Sequence, residues 1–74
     1  MMNKLMVYGA TGYTGSLFVR ELLENKVQPV LAGRSENVAS LAEGIHCDHR
    51  IFALDDYDAI DQNLQDIHLV ANLA

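Results

Sequence analysis

With 74 residues, half of them hydrophobic and a fifth charged, the chain is sized and composed for one small folded domain and not for a disordered tail. A net charge of −5, with only five Lys and Arg, argues against a nucleic-acid backbone or an anionic membrane surface as partner. One cysteine excludes an internal disulfide and fits a reducing, cytoplasmic compartment; no apolar run approaches the ~20 residues that cross a bilayer, and the short apolar start cut off at Gly9 is too brief for a signal peptide.

No repeat, low-complexity tract or Gly/Ser linker divides residues 1–74, so a single domain is expected. Lys4 to Tyr8 is a short apolar run ending at glycine and reads as a buried strand. After a glycine-rich turn, Thr14 to Lys26 carries Leu17, Phe18, Leu22 and Leu23 at helical spacing, with Arg20, Glu21 and Glu24 free to face water. Asn25 is the expected left-handed stop of that helix. Pro29 to Ala32 reads as a second strand, with proline at the first position, where a ladder donor is least needed. Ser35 is the expected cap of a helix from Glu36 to Glu43, with Gly44 after its end. Arg50 to Leu54 reads as a third strand, and Asp55 as the cap of a helix reaching about Leu64. Ile67 to Leu73 is the fourth strand.

The resulting order, β-α-β-α-β-α-β with short connections, demands right-handed parallel crossovers. The fold class is therefore α/β: a Rossmann-like parallel sheet, strand order 3-2-1-4, with helices on both faces. The nearly all-apolar strands agree, because parallel strands are covered on both sides.

Two sites in this pattern carry chemistry. Gly9-Ala10-Thr11-Gly12-Tyr13-Thr14-Gly15 lies between the first strand and the first helix. Glycines there let a diphosphate approach amide N–H groups with no Cβ in the way, and the helix N-terminus adds donors and a positive dipole end. The spacing is G-x-x-G-x-x-G, with Thr11 where the strict dinucleotide fingerprint has glycine. Thr11, Thr14, Tyr8 and Tyr13 either line such a site or serve packing and capping. The second site is Ala32-Gly33-Arg34-Ser35, directly after the second strand. A domain that takes NAD places Asp or Glu here for the ribose 2′-hydroxyl. Arg34 instead suits stacking on adenine and bonding a 2′-phosphate, with Ser35 as a second donor, which favours NADP over NAD.

Tyr8 to Gly15, Pro29 to Arg34 and Leu54-Asp55-Asp56 together resemble the N-terminal NAD(P)-binding domain of saccharopine dehydrogenase-like proteins, a group that includes trans-acting enoyl reductases. Atypical short-chain dehydrogenases are similar. The resemblance implies that Gly9, Thr11, Gly12, Tyr13, Thr14 and Gly15 surround the cofactor diphosphate, that Arg34 and Ser35 take the 2′-phosphate, and that Asp55 and Asp56 lie beside the adenine. It also implies that residues 1–74 correspond to the first half of such a domain, whose fourth strand runs on in the relatives into further strands and a substrate domain.

Neither a catalytic nor a metal constellation is read from the residues. The Tyr-x-x-x-Lys pair of short-chain dehydrogenases is missing, since Tyr8, Tyr13 and Tyr57 are followed four residues on by Gly12, Leu17 and Asp61. His46-Cys47-Asp48-His49 holds residues of ligating type but reads as a polar connection, because tetrahedral zinc needs a further ligand from a distant segment. The functional expectation is an NADP-binding domain of an oxidoreductase that does not catalyse alone. The alternatives are a non-catalytic nucleotide sensor and a fragment that self-associates, or meets a further domain, through Ile67 to Leu73, which the 3-2-1-4 order leaves as an apolar edge.

Overall fold

The structure is a computed structural model that describes residues 4–74; residues 1–3, part of the apolar start considered above, lie outside the described residues. Seven elements follow in the expected order: β1 (Leu5–Tyr8), α1 (Tyr13–Glu24), β2 (Val30–Gly33), α2 (Asn37–Gly44), β3 (His49–Ile51), α3 (Tyr57–Leu64) and β4 (Leu69–Asn72). The four strands form one sheet, all parallel, in the order β3-β2-β1-β4. Val7 stands beside Leu31 of β2 and beside Ala71 of β4, which fixes the register on both sides of the central strand.

Side-chain alternation along the two inner strands builds two cores. Val7 and Leu31 point to the face covered by α1 and α2, where they meet Val19, Val38 and Ala42. Met6, Tyr8, Val30 and Ala32 point to the opposite face with Phe52, against Ile60 and Leu64 of α3. Every residue of β2 is buried, as are Met6, Val7 and Tyr8 of β1, so these strands are apolar throughout and not alternately polar. The outer strands β3 and β4 are exposed along much of their length. No helix among the described residues is long and apolar enough to cross a membrane.

The ends of the elements depart from the sequence reading in ways that have local causes. Asn25 is not the left-handed residue; it caps α1 at φ −94°, and Lys26 takes φ 63°. The Val27 N–H then reaches back to Leu22 O at 2.9 Å and the Lys26 N–H to Leu23 O at 3.0 Å, the paired closure of a Schellman turn. α2 ends in the same way one residue beyond expectation: Gly44 is its last residue, and His46, at φ 59°, is the left-handed one. There the Cys47 N–H donates to Ala42 O at 2.9 Å. Ser35 does not cap α2 with its hydroxyl; Glu36 holds the cap position in helical conformation, and the Val38 N–H takes the Ser35 backbone carbonyl at 3.3 Å. The cap of α3 is Asp56, not Asp55, its carboxylate accepting from the Ala59 N–H at 3.1 Å. β3 stops at Ile51, so Ala53 and Leu54, read as strand for their apolarity, belong to the loop that follows.

At the other end of the sheet Asp66 joins three segments. It accepts both guanidinium N–H groups of Arg50 at 3.0 Å and the Lys4 ammonium at 3.0 Å, while Arg50 also donates to Asn63 O at 2.8 Å. This bidentate pair ties the end of α3 to β3 and to the residue before β1.

Candidate functional site

The strand order reverses direction between β1 and β4, since β1 is followed by β2 on one side and flanked by β4 on the other. In open α/β sheets the crevice outside the carboxyl ends of the strands at such a point is where ligands bind. The candidate cofactor residues lie at that end, in the last residue of β1, the turn after it, the first turn of α1 and the loops after β2 and β3.

The turn after β1 is built around glycine backbone. Gly9 sits at φ +86°, and its N–H and that of Ala10 both reach Ala32 O, at 2.9 and 3.3 Å, which folds the turn over the end of β2. The Gly12 N–H closes onto Gly9 O at 3.1 Å, and the first helical bond of α1 runs from Ser16 N–H to Gly12 O at 2.8 Å. The N–H groups of Tyr13, Thr14 and Gly15 precede that bond, and among the described residues nothing accepts from them. Gly12, at the cap position, has no side chain to do so, and the first turn of α1 holds no acidic residue. Three donors without an acceptor thus stand together at the positive end of the helix dipole. Thr11, Gly12, Tyr13 and Thr14 are exposed around them, and Gly15 is buried beneath.

Space for a ligand beside this turn depends on missing side chains. A Cβ on Gly15 would run into Gly9 O, and one on Gly9 would meet Ala74 N at 2.7 Å. These two glycines therefore hold the first turn of α1 against the end of β1, and the end of β4 against the turn.

Next to the turn lies a cleft of about 330 Å³, lined by Tyr8, Arg34, Ala53, Leu54, Asp55 and Ala74. Its volume falls at the lower end of the range for small-molecule sites. The floor is Tyr8, whose phenol donates to Phe52 O at 2.6 Å and whose ring meets that of Phe52 at 5.1 Å between centroids. Burial pushes the Tyr8 hydroxyl up from its ordinary pKa, with Arg34 lowering it and Asp55 raising it. The Arg34 and Asp55 charges thus reach the same phenol from the rim. Whereas Lys4 and Arg50 are engaged by Asp66, Arg34 has no ion-pair partner among the described residues. Ser35 is exposed beside it.

Of the candidates from sequence, Arg34 and Asp55 line the cleft together. Asp56 is engaged as the cap of α3, one residue outside the lining. Sequence reasoning left Ala53 and Leu54 out of the site because it placed them in β3; Leu54 is in fact a partly exposed apolar wall of the cleft. A larger hollow of about 500 Å³ lies at the opposite end, lined by Lys4, residues 26–30 and residues 46–48. The C-termini of α1 and α2 point there with their negative dipole ends, which suits an anion poorly. Cys47 borders that hollow, and burial, followed by the Asp48 charge, pushes its thiol pKa up, away from the nucleophilic thiolate. Among the described residues no group of three His, Cys, Asp or Glu side chains is gathered to hold a metal ion.

Comparison with family models, with curated proteins and with solved structures finds no match.

Proposed function

We propose that this chain binds a dinucleotide through the glycine turn and the adjoining cleft, and that the dinucleotide is NADP(H) in preference to NAD(H). One observation carries the reading: three unpartnered N–H donors at the start of α1 stand beside a cleft whose rim holds an arginine with no ion-pair partner among the described residues. The N–H groups of Tyr13, Thr14 and Gly15 suit a diphosphate, and the closeness that Gly9 and Gly15 permit is what such an approach requires. Arg34, with Ser35, suits a 2′-phosphate, and Leu54, Asp55 and the wall over Tyr8 suit the adenine and its ribose.

When bound, such a cofactor supplies hydride chemistry, and the contribution of this chain is to hold it. The ionisable groups in the cleft are Tyr8, Arg34 and Asp55, and the Tyr8 proton is already given to Phe52 O. The proposal is therefore a cofactor-binding module of a saccharopine dehydrogenase-like oxidoreductase, with substrate held by other residues. Titration with NADP⁺ and NAD⁺, followed by heteronuclear NMR, tests it. Saturable binding with shifts at Gly9–Gly15 and Arg34 is the expected result, and a folded chain whose spectrum neither nucleotide moves would overturn it. A charge-assisted bond contributes about 1.5–3 kcal/mol, so Arg34→Ala is expected to cut the preference for NADP⁺ about ten- to hundredfold while weakening NAD⁺, through lost adenine stacking, much less.

A further inference from the structure

The two edges of the sheet are unlike. β3 is three residues long and carries His49 and Arg50, the short charged form that discourages a further strand. β4 has no charged residue, proline or glycine from Leu69 to Asn72, and Leu69 and Val70 are 64% and 41% exposed on its two faces. Its backbone is half used. The Leu73 N–H donates to Tyr8 O at 2.9 Å, so with a period of two the odd-numbered residues bond β1, and the N–H and C=O of Val70 and Asn72 point out from the sheet.

We propose that β4 pairs with β4 of a second copy of this chain, antiparallel about a two-fold axis through Ala71, joining two four-stranded sheets into one. The strand is self-complementary in that register. Val70 stands opposite the partner's Asn72, and the pair exchanges both backbone bonds, so every outward N–H and C=O of the strand is satisfied. Ala71 stands opposite itself at the non-bonded position, where Cα atoms approach to ~4.5 Å and a small side chain fits. Leu69 stands opposite the partner's Leu73 on the face that α1 and α2 cover. No Asp, Glu, Lys or Arg lies between Asp66 and Ala74, so no like charges meet along the strand. The two-fold closes the edge left unguarded among the described residues, and assembly stops at two copies. The net charge of −5 on each copy opposes the contact, so association is weak at low ionic strength and strengthens with salt.

Analytical ultracentrifugation of the chain, from low micromolar to near-millimolar and with and without added salt, provides the test. The expected mass rises from 8.2 kDa to twice that value, sooner in salt, and the Val70 and Asn72 amides gain protection from hydrogen exchange only at high concentration. Val70→Pro removes an outward donor and leaves the ladder to β1 intact, while Leu69→Lys charges an exposed position. Each is expected to raise the dissociation constant at least about tenfold, the equivalent of one lost hydrogen bond, with the monomer's spectrum preserved. A monomer at every concentration, an open-ended series of larger species, or a dimer indifferent to both variants would overturn the proposal.

Discussion

Gly15 lies directly over the carbonyl of Gly9: a Cβ on the helical glycine would occupy the space of Gly9 O and crowd Gly9 C at 2.8 Å. The neighbour on the far side of this contact is backbone, which cannot rotate away as a side chain would. Gly9 is itself pinned, by its N–H to Ala32 O and by Ala74 against its α-carbon. The approach of α1 to the end of β1 thus depends on a hydrogen in place of a methyl group at Gly15, and the approach of the end of β4 to the turn on the same replacement at Gly9.

Gly15→Ala is accordingly expected to destabilise the fold by about 1–3 kcal/mol, the usual cost of forcing extra volume into a packed contact, despite the better helix propensity of alanine. Chemical denaturation reads the loss directly. Gly12→Ala is the control, because a Cβ there meets nothing nearer than Gly9 O at 3.5 Å. Equal losses in the two variants would mean that the close approach is not what Gly15 provides.

The same comparison shows which parts of the molecule its sequence makes legible. The continuous apolar runs of β1 and β2 and the spacing of Phe18, Leu22 and Leu23 are local signals, and the order of elements leaves only a few parallel-sheet topologies with right-handed crossovers, of which 3-2-1-4 is the one adopted. The glycine turn and Arg34 are legible for the same reason, since each follows directly on a strand end. Element ends are not local. Asp55 and Asp56 are equivalent as letters, and the choice of Asp56 as cap depends on where the loop from β3 lands. Ala53 and Leu54 look like strand, yet their place in the cleft follows from a β3 that ends at Ile51. The bond from the Tyr8 hydroxyl to Phe52 O spans 44 positions and has no signature in spacing.

Both helices on the α1–α2 face end at a left-handed residue with a side chain, Lys26 and His46, though asparagine and glycine stand nearby at positions 25 and 44. For L residues this conformation costs about 1–2 kcal/mol, of which glycine's greater freedom when unfolded offsets about 0.5–1. Lys26→Gly and His46→Gly are each expected to stabilise the chain by about 0.5–1 kcal/mol. The two sites share no hydrogen bond but line the same hollow, so the double variant measures how far they are coupled. Thermal and urea unfolding check this. A loss of stability at either site would show that the Lys26 or His46 side chain contributes more than its backbone conformation costs.

Asp66 is expected to link the stability of the chain to acid. Hydrogen bonds from Arg50 and then from Lys4 hold its carboxyl well below the usual carboxylate range. A carboxylate whose pKa is lower in the folded state than in the unfolded one adds stability that is fully present above the unfolded value, near 3.8, and is lost as pH falls through the folded value. Asp66 is open to solvent, so this contribution is screened by salt. The wild-type chain should therefore lose some stability as pH drops below about 4, and Asp66→Asn should flatten that part of the curve while slightly lowering the plateau at neutral pH. Asparagine keeps one acceptor oxygen for Arg50 but loses the charge and the second oxygen of the bidentate pair, while Arg50 still donates to Asn63 O, so the loosening should be local to the end of α3. Amide exchange in residues 60–66, measured at neutral pH in wild type and variant, separates this from a general loss. Faster exchange confined to that segment is the expected result, and an unchanged acid limb in Asp66→Asn would assign the acid sensitivity to other carboxylates.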